Sequence, residues 1–494
     1  MFKKSLSIML ATLLGVSVMM TGCGTNKEVK ENVENEKKEA PINLVWYTIG
    51  TPQKDAELVE EELNKYLLEK INATVDMKLL DWGEYSQKMQ VKVGAGEDFD
   101  IMFSCSWAND YASNVAKGAF MPLNDLLEEQ GKGILDTVSP LFLEGARIDG
   151  EIYAIPTNKE LGWQAMWIVN QDLADKYNVD MKNITTLESL APYLKTIKEN
   201  EPNVIPLSLD LSNAPYVKNI DSLFGDQLPL SIKFDDPTKI VNTFETEEAM
   251  EVFETMYEYY KAGYVHPDAA INKTSDYNKT GNYFITKAHY QPYAEVIWQQ
   301  GDFSSTPISI SPLHEPFANN SSTRGAMQGI SINSEHPEKA MEFLNLLYTD
   351  EYVLNLLDYG IEGTHYNKID DFHIEKLDRA QESYMFPSFS IGDVFKTYAY
   401  EGTPDDKWEK FIEFNDACIE APSLGFTPDL SKVKLQMAAV TNVAEEVTSS
   451  LYMGVVDPSE YVPKAVQKLK EAGIDEVIAE LQTQYDVWFA NKNK

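Results

Sequence analysis

Three stretches set an aromatic ring beside side chains that hydrogen-bond: Trp107-Ala108-Asn109-Asp110, Asn158-Lys159-Glu160 with Trp163 close behind, and Tyr293-Ala294-Glu295 followed by Trp298. That mixture suits a sugar. A pyranose ring has apolar C–H faces that lie flat on indole or phenol, while its hydroxyls need paired donors and acceptors. Taken singly, a tryptophan is more often core packing, and Trp167 in a strand and Trp488 in the last helix are read that way. Trp46, Trp82, Trp107, Trp163 and Trp298 instead fall at strand ends or in loops.

Groups that break bonds are not arranged to do so. The six histidines show no metal-binding spacing, and His314-Glu315-Pro316 lacks the second histidine of a zinc-protease helix. There is no Gly-x-Ser-x-Gly elbow and no calcium loop, and Gly94-Ala95-Gly96 reads as a helix end rather than a phosphate loop. With 78 acidic residues, any chosen carboxylate pair for sugar hydrolysis is uninformative, so a secreted glycoside hydrolase stays open as an alternative. No catalytic residue, metal or cofactor is expected. Of the three cysteines, Cys105 and Cys418 could pair in an oxidising exterior, but two unpaired buried thiols are the preferred reading.

Cys23 has a different chemistry. Lys3 and Lys4 precede an apolar run from Leu6 to Met20, and Thr21-Gly22 lead into the cysteine. The run is short of the ~20 residues that span a bilayer. Small residues before a cysteine allow cleavage there and acylation of the thiol, so residues 1–22 are expected to leave as a signal peptide. Residues 23–41 are charged, lack aromatic rings and read as a flexible tether. Loss of Lys3 and Lys4 takes the formal charge from −36 to −38. A surface that acidic repels phosphate backbones and anionic headgroups, which argues against nucleic acid and against lying flat on a membrane.

The full chain of 494 residues, 43% apolar, is long enough for two or three globular cores. Ile42 to Tyr47 reads as a strand. Thr51-Pro52 looks like the cap of a helix running to about Lys70, and Thr74 to Leu80 alternates as a strand. A helix from Glu84 to Val93 and a buried strand from Phe99 to Phe103 follow. This βαβα order predicts a mainly parallel sheet, with ligands beyond the carboxyl ends of its strands. Later helices are expected over 246–262, 337–347, 350–357 and, at the end, 431–452, 462–472 and 475–489.

Longer motifs carry a resemblance. Gly150-Glu151-Ile152-Tyr153-Ala154-Ile155-Pro156, Tyr260-Lys261-Ala262-Gly263-Tyr264 and Gln328-Gly329-Ile330-Ser331-Ile332-Asn333 follow the cysteine-ended leader in an order that resembles extracellular solute-binding lipoproteins of carbohydrate-type ABC importers. Tyr359-Gly360-Ile361-Glu362-Gly363-Thr364-His365-Tyr366, Leu424-Gly425-Phe426-Thr427-Pro428 and Ala472-Gly473-Ile474-Asp475 are similar to a C-terminal domain of uncharacterised sugar-importer lipoproteins.

The resemblance implies an α/β fold of two lobes closing on a ligand like a hinged trap. Each lobe would be a mainly parallel sheet flanked by helices, with extra C-terminal helices. Residues 42–157 and 315–366 would form lobe 1, and 158–314 and 367–494 lobe 2, with Tyr153 to Pro156 as one crossing. It implies a ligand-binding set of Trp46, Trp107, Glu160, Trp163, Trp298, Glu362, Tyr366 and Phe426, and lipidation at Cys23. The expected partners are a small-molecule ligand, a sugar first and a peptide or other polar solute second, and an ABC permease. The expected molecule is a monomer on the outer face of the cytoplasmic membrane, held there by its lipid.

Overall fold

The alternation in β1 (Ile42–Ile49) turns Leu44, Trp46 and Thr48 to one buried face. α1 (Ala56–Lys70) buries Val59, Leu63 and Leu67 at helical spacing. It starts after Asp55 rather than at the expected Thr51 cap, and the Asp55 side chain does not cap it but faces another segment of the chain. There it accepts from Arg379 Nε at 2.7 Å and Nη2 at 3.1 Å. β2 (Ala73–Leu80), α2 (Tyr85–Ala95) and β3 (Ile101–Ser104) follow. Gly96 ends α2 at φ +66°, a left-handed conformation that glycine takes without strain. The computed structural model describes residues 40–225, 228–271, 275–299, 301 and 303–492. Cys23, the expected signal and nearly all of the expected tether lie outside those residues.

The chain next forms β4 (Ala154–Pro156), then β5 (Ala165–Asn170), β6 (Ile205–Leu207), α3 (Glu247–Lys261), β7 (Tyr283–His289) and β8 (Ile308–Pro312). It comes back through β9 (Phe317–Ala318), β10 (Met327–Ile330), α4 (Pro337–Thr349) and α5 (Glu351–Tyr359). β11 (Tyr366–Lys368), β12 (His373–Lys376) and β13 (Ala399–Tyr400) make a small sheet. α6 (Lys407–Asp416), β14 (Ile419–Glu420), α7 (Lys434–Tyr452), α8 (Pro458–Glu471) and α9 (Ile474–Lys492) complete the described chain.

The two larger sheets are each the floor of a lobe. The first has the order β2-β1-β3-β10-β4, and the second β8-β5-β7-β6. β1 pairs in parallel with β2 and β3, as the βαβα order requires. β10 runs antiparallel to β3 and β4, and β5 antiparallel to β7 and β8. The expectation of mainly parallel sheets therefore fails in the second lobe. Its strands come from separate passages of the chain, which right-handed crossovers do not constrain.

Two hydrophobic cores underlie these sheets. One gathers Trp46, Leu63, Phe103, Phe343 and Leu354. The other gathers Trp167 and Phe253 with Val440, Leu469 and Tyr485 from the C-terminal helices. Tyr384, Phe386 and Ile391 pack into the first core, so the expected assignment of all of 367–494 to the second lobe does not hold for this segment. Phe386 lies 6.2 Å from the Trp46 ring, and the Arg379–Asp55 pair fastens the same segment to the head of α1.

Among the described residues the chain crosses three times between the cores. β4 is an edge strand of the first sheet, so the first crossing lies after it, in residues 157–164, rather than at Tyr153 to Pro156. Trp163 and Phe317 exchange backbone hydrogen bonds at 2.7 and 3.0 Å, and β9 pairs in parallel with β14. At Gly162 a Cβ would overlap Cys418 Sγ on the third crossing. Glycine allows that close approach.

Candidate functional site

The loops that follow parallel strands emerge at one end of the sheet. Trp82 follows β2 and Trp107 follows β3, and both rings stay exposed, 43% and 52%. Phe389, 36% exposed, joins them from the segment fastened to α1. Trp82 stacks on Trp107 at 6.2 Å and 22°, and on Phe389 at 6.1 Å and 21°. The Trp107 indole N–H donates to the Gly325 carbonyl at 2.7 Å, which fixes its plane. Burying such rings would be favourable, so three clustered rings left in water, with Trp82 stacked on both others, mark a surface that awaits a partner.

Phe389 also borders a cavity of about 460 Å³. Tyr366, Tyr400, Trp408 and Phe411 give it aromatic walls, Glu160 and Lys407 charged ones, and Gln291, Val296 and Ile297 close it from the β7–β8 side. Lys159 Nζ pairs with Glu160 Oε1 at 2.5 Å. Burial pushes the Glu160 carboxyl up, but Lys159 overrides it and holds the group below its ordinary value. Burial pulls the Lys407 ammonium down to about 8, with Glu160 opposing, and the ammonium lies 3.8 Å from the Trp408 ring centroid. Flat apolar faces interleaved with charged donors and acceptors can hold a polyhydroxylated ring.

Of the residues read from sequence, Glu160 and Tyr366 line this cavity, and Trp107 stands on the adjoining platform. Trp163 does not join them. It borders a separate cavity of about 130 Å³ with Tyr216, Lys287 and Phe317, stacked on His314 at 5.0 Å. Burial pulls the His314 imidazole down to about 4, so that ring is neutral at pH 7. Trp298 packs on Phe303 at 5.8 Å and 13° in a small core of its own. Glu362 is exposed on the turn where the Gly363 N–H reaches the Tyr366 carbonyl at 2.7 Å, and it is not part of the cavity wall.

Two expectations are corrected outright. Trp46 is fully buried, edge-on to Phe343, because its strand position turns it into the first core. Phe426 is buried against Tyr485 and Trp488 of α9. Trp46 still supports the platform from behind. Its indole N–H donates to Gln328 Oε1 at 3.0 Å, and Gln328 Nε2 donates to the Ser390 carbonyl at 2.9 Å, next to Phe389. Trp82 was visible as a strand-end tryptophan, whereas no local pattern distinguishes Phe389 or Tyr400.

Cys105 and Cys418 are unpaired. Among the described residues, no group of three or more histidine, cysteine or acidic side chains is placed to hold a metal ion, and no helix is long and apolar enough to cross a membrane.

Comparison with known proteins gives this geometry a context. A family model described as bacterial extracellular solute-binding protein matches residues 51–353, and a domain of unknown function matches residues 422–490. A carbohydrate ABC transporter substrate-binding protein of Streptococcus pneumoniae is 30% identical over 98% of this chain and 98% of its own. The crystal structure of the N-glycan transport solute binding protein of Streptococcus pneumoniae is 31% identical and superposes with a TM-score of 0.84, covering 91% of this chain and all of that one. The structure of the same protein in complex with Man1GlcNAc gives 0.72 at 30% identity, covering 90% and 98%.

Proposed function

The chain belongs to the bacterial extracellular solute-binding proteins, and on that footing we propose that it captures a carbohydrate, an oligosaccharide or glycoside, for an ABC importer. The observation that carries this reading is the exposed Trp82–Trp107–Phe389 stack at the carboxyl ends of the first sheet, opening onto the aromatic and charged cavity. Stacked sugar rings and paired hydroxyls can supply the roughly −8 kcal/mol of micromolar capture. No bond is broken, and the guest leaves intact.

The two lobes act as the jaws. The first comprises 42–157 and 315–366 together with the 377–391 segment, and the second takes 158–314 and the C-terminal helices. Residues 157–164 and the β9 and β14 passages are the hinge. The pneumococcal relative supports this: the likeness is 0.84 for one of its structures and 0.72 for its complex with Man1GlcNAc. Such a difference fits two rigid bodies that pivot.

The wider setting belongs to the same proposal. Cleavage after Gly22 and acylation of Cys23 would leave a monomer tethered outside the cytoplasmic membrane through residues 23–41. The closed form would be the one its permease engages, with no nucleic acid involved. The test is a thermal-shift screen of glycans and peptides. Glycans are expected to raise the melting temperature and to be recovered uncut after long incubation. Shifts with peptides alone, or cleaved glycan, would overturn the reading.

A further inference from the structure

The inner wall of the cavity carries a polar group with no role so far. Asp358, near the end of α5, is 6% exposed and lines the cavity. Both of its carboxyl oxygens are shielded from water and lack a hydrogen-bond partner. Buried polar atoms are nearly always matched, so two orphans on one side chain ask for an explanation. Two neighbouring phenols are already committed. Tyr384 Oη donates to the Leu357 carbonyl at 2.7 Å, and Tyr359 Oη to the Tyr398 carbonyl at 2.5 Å.

Lys376 lines the same cavity. Burial alone pushes the Asp358 carboxyl well above the usual carboxylate range, and burial alone lowers the Lys376 ammonium. No side chain, Lys376 included, bonds either Asp358 oxygen, so acid and amine stand apart instead of pairing. A trans secondary amide needs that separation, because its N–H and C=O point in opposite directions. Its methyl needs a small apolar wall, and Ala380, Val394 and Ala399 provide one.

Resting on the carbohydrate reading above, we infer that this end of the cavity is the subsite for a 2-acetamido sugar, with Asp358 accepting the amide N–H and Lys376 donating to the carbonyl oxygen. The Asp358 oxygens are covered in this form, and entry of the guest uncovers them. A plain hydroxyl at the same ring position cannot reach both groups or fill the apolar wall.

Calorimetric titration with Man1GlcNAc and with mannosyl-glucose, which has a hydroxyl in place of the acetamido group, tests the assignment. The wild type is expected to prefer Man1GlcNAc at least tenfold. Asp358→Leu and, independently, Lys376→Met should each shrink that preference to about twofold by weakening Man1GlcNAc alone. Asp358→Asn, which keeps an acceptor oxygen, should retain most of it. Unliganded Asp358→Leu should melt no lower than the wild type, since only an unmatched group is lost. Equal wild-type binding of the two disaccharides overturns this inference and leaves the carbohydrate reading standing. Binding of neither overturns both. A preference undiminished in both the Leu and the Met variants removes Asp358 and Lys376 from the subsite.

Discussion

Phe389 stacks on Trp82 at 6.1 Å and 21°, although the two residues reach the platform on different passages of the chain. Trp82 is delivered by the loop after β2, and Phe389 by a segment bolted to the head of α1 through Arg379 and Asp55. The proposed binding face is therefore assembled by tertiary contacts, and its parts can be tested one at a time.

Trp82→Ala, Trp107→Ala and Phe389→Ala should each weaken glycan binding about tenfold, roughly 1.4 kcal/mol, with little change in unliganded stability. The rings are exposed, so truncating them leaves no core cavity. Titration calorimetry read beside thermal melts separates the two effects.

Trp46→Ala should do the reverse. The ring is fully buried, so its loss should cost about 3–5 kcal/mol of stability in denaturant melts. Trp46→Phe keeps most of the packing but strands Gln328 Oε1, at about 1–3 kcal/mol.

Trp46 and Trp107 also mark how far sequence reading reaches. Trp46 reads as a strand end because the expected strand stops at Tyr47, but β1 runs on to Ile49 and its alternation turns Trp46 into the core, whereas Trp107 follows β3 and stays in water. The opening βαβα unit and the capped helices were legible because their signals are local. Thr246 caps α3 through the Ala249 N–H, for example, as its sequence suggests. Phe389 was not legible, because the Gln328–Ser390 hydrogen bond that sets its turn joins distant parts of the chain. The antiparallel strands of the second sheet escaped for the same reason.

Gly162→Ala should destabilise the crossing by about 1–3 kcal/mol, since the new methyl meets Cys418 Sγ and the Phe414 ring. Removing the sulfur in Gly162→Ala/Cys418→Ala should return most of that loss. Additive losses in the double mutant would show that the two sites do not touch.

Asp55 sets a pH dependence. The Arg379 guanidinium first, then His365, hold its carboxyl down at about 2, below the ordinary 3.8, against the opposing effect of burial. A depressed carboxyl contributes stability that is complete above the ordinary value and is lost as pH falls towards 2. The stability gap between the wild type and Arg379→Gln should thus be constant above pH 5 and close between about pH 4 and pH 2. Paired urea melts across that range measure it. A gap that persists at pH 2 would assign the Arg379 contribution to packing.

A crystal structure with the glycan that gives the largest thermal shift decides most between capture in a closing cleft and any other role. A sugar ring should lie on Trp82, Trp107 or Phe389, with its chain entering the cavity beside Glu160 and Tyr366 and the two cores drawn together. A glycan seated away from those rings, or lobes that hold their unliganded arrangement around it, would contradict that.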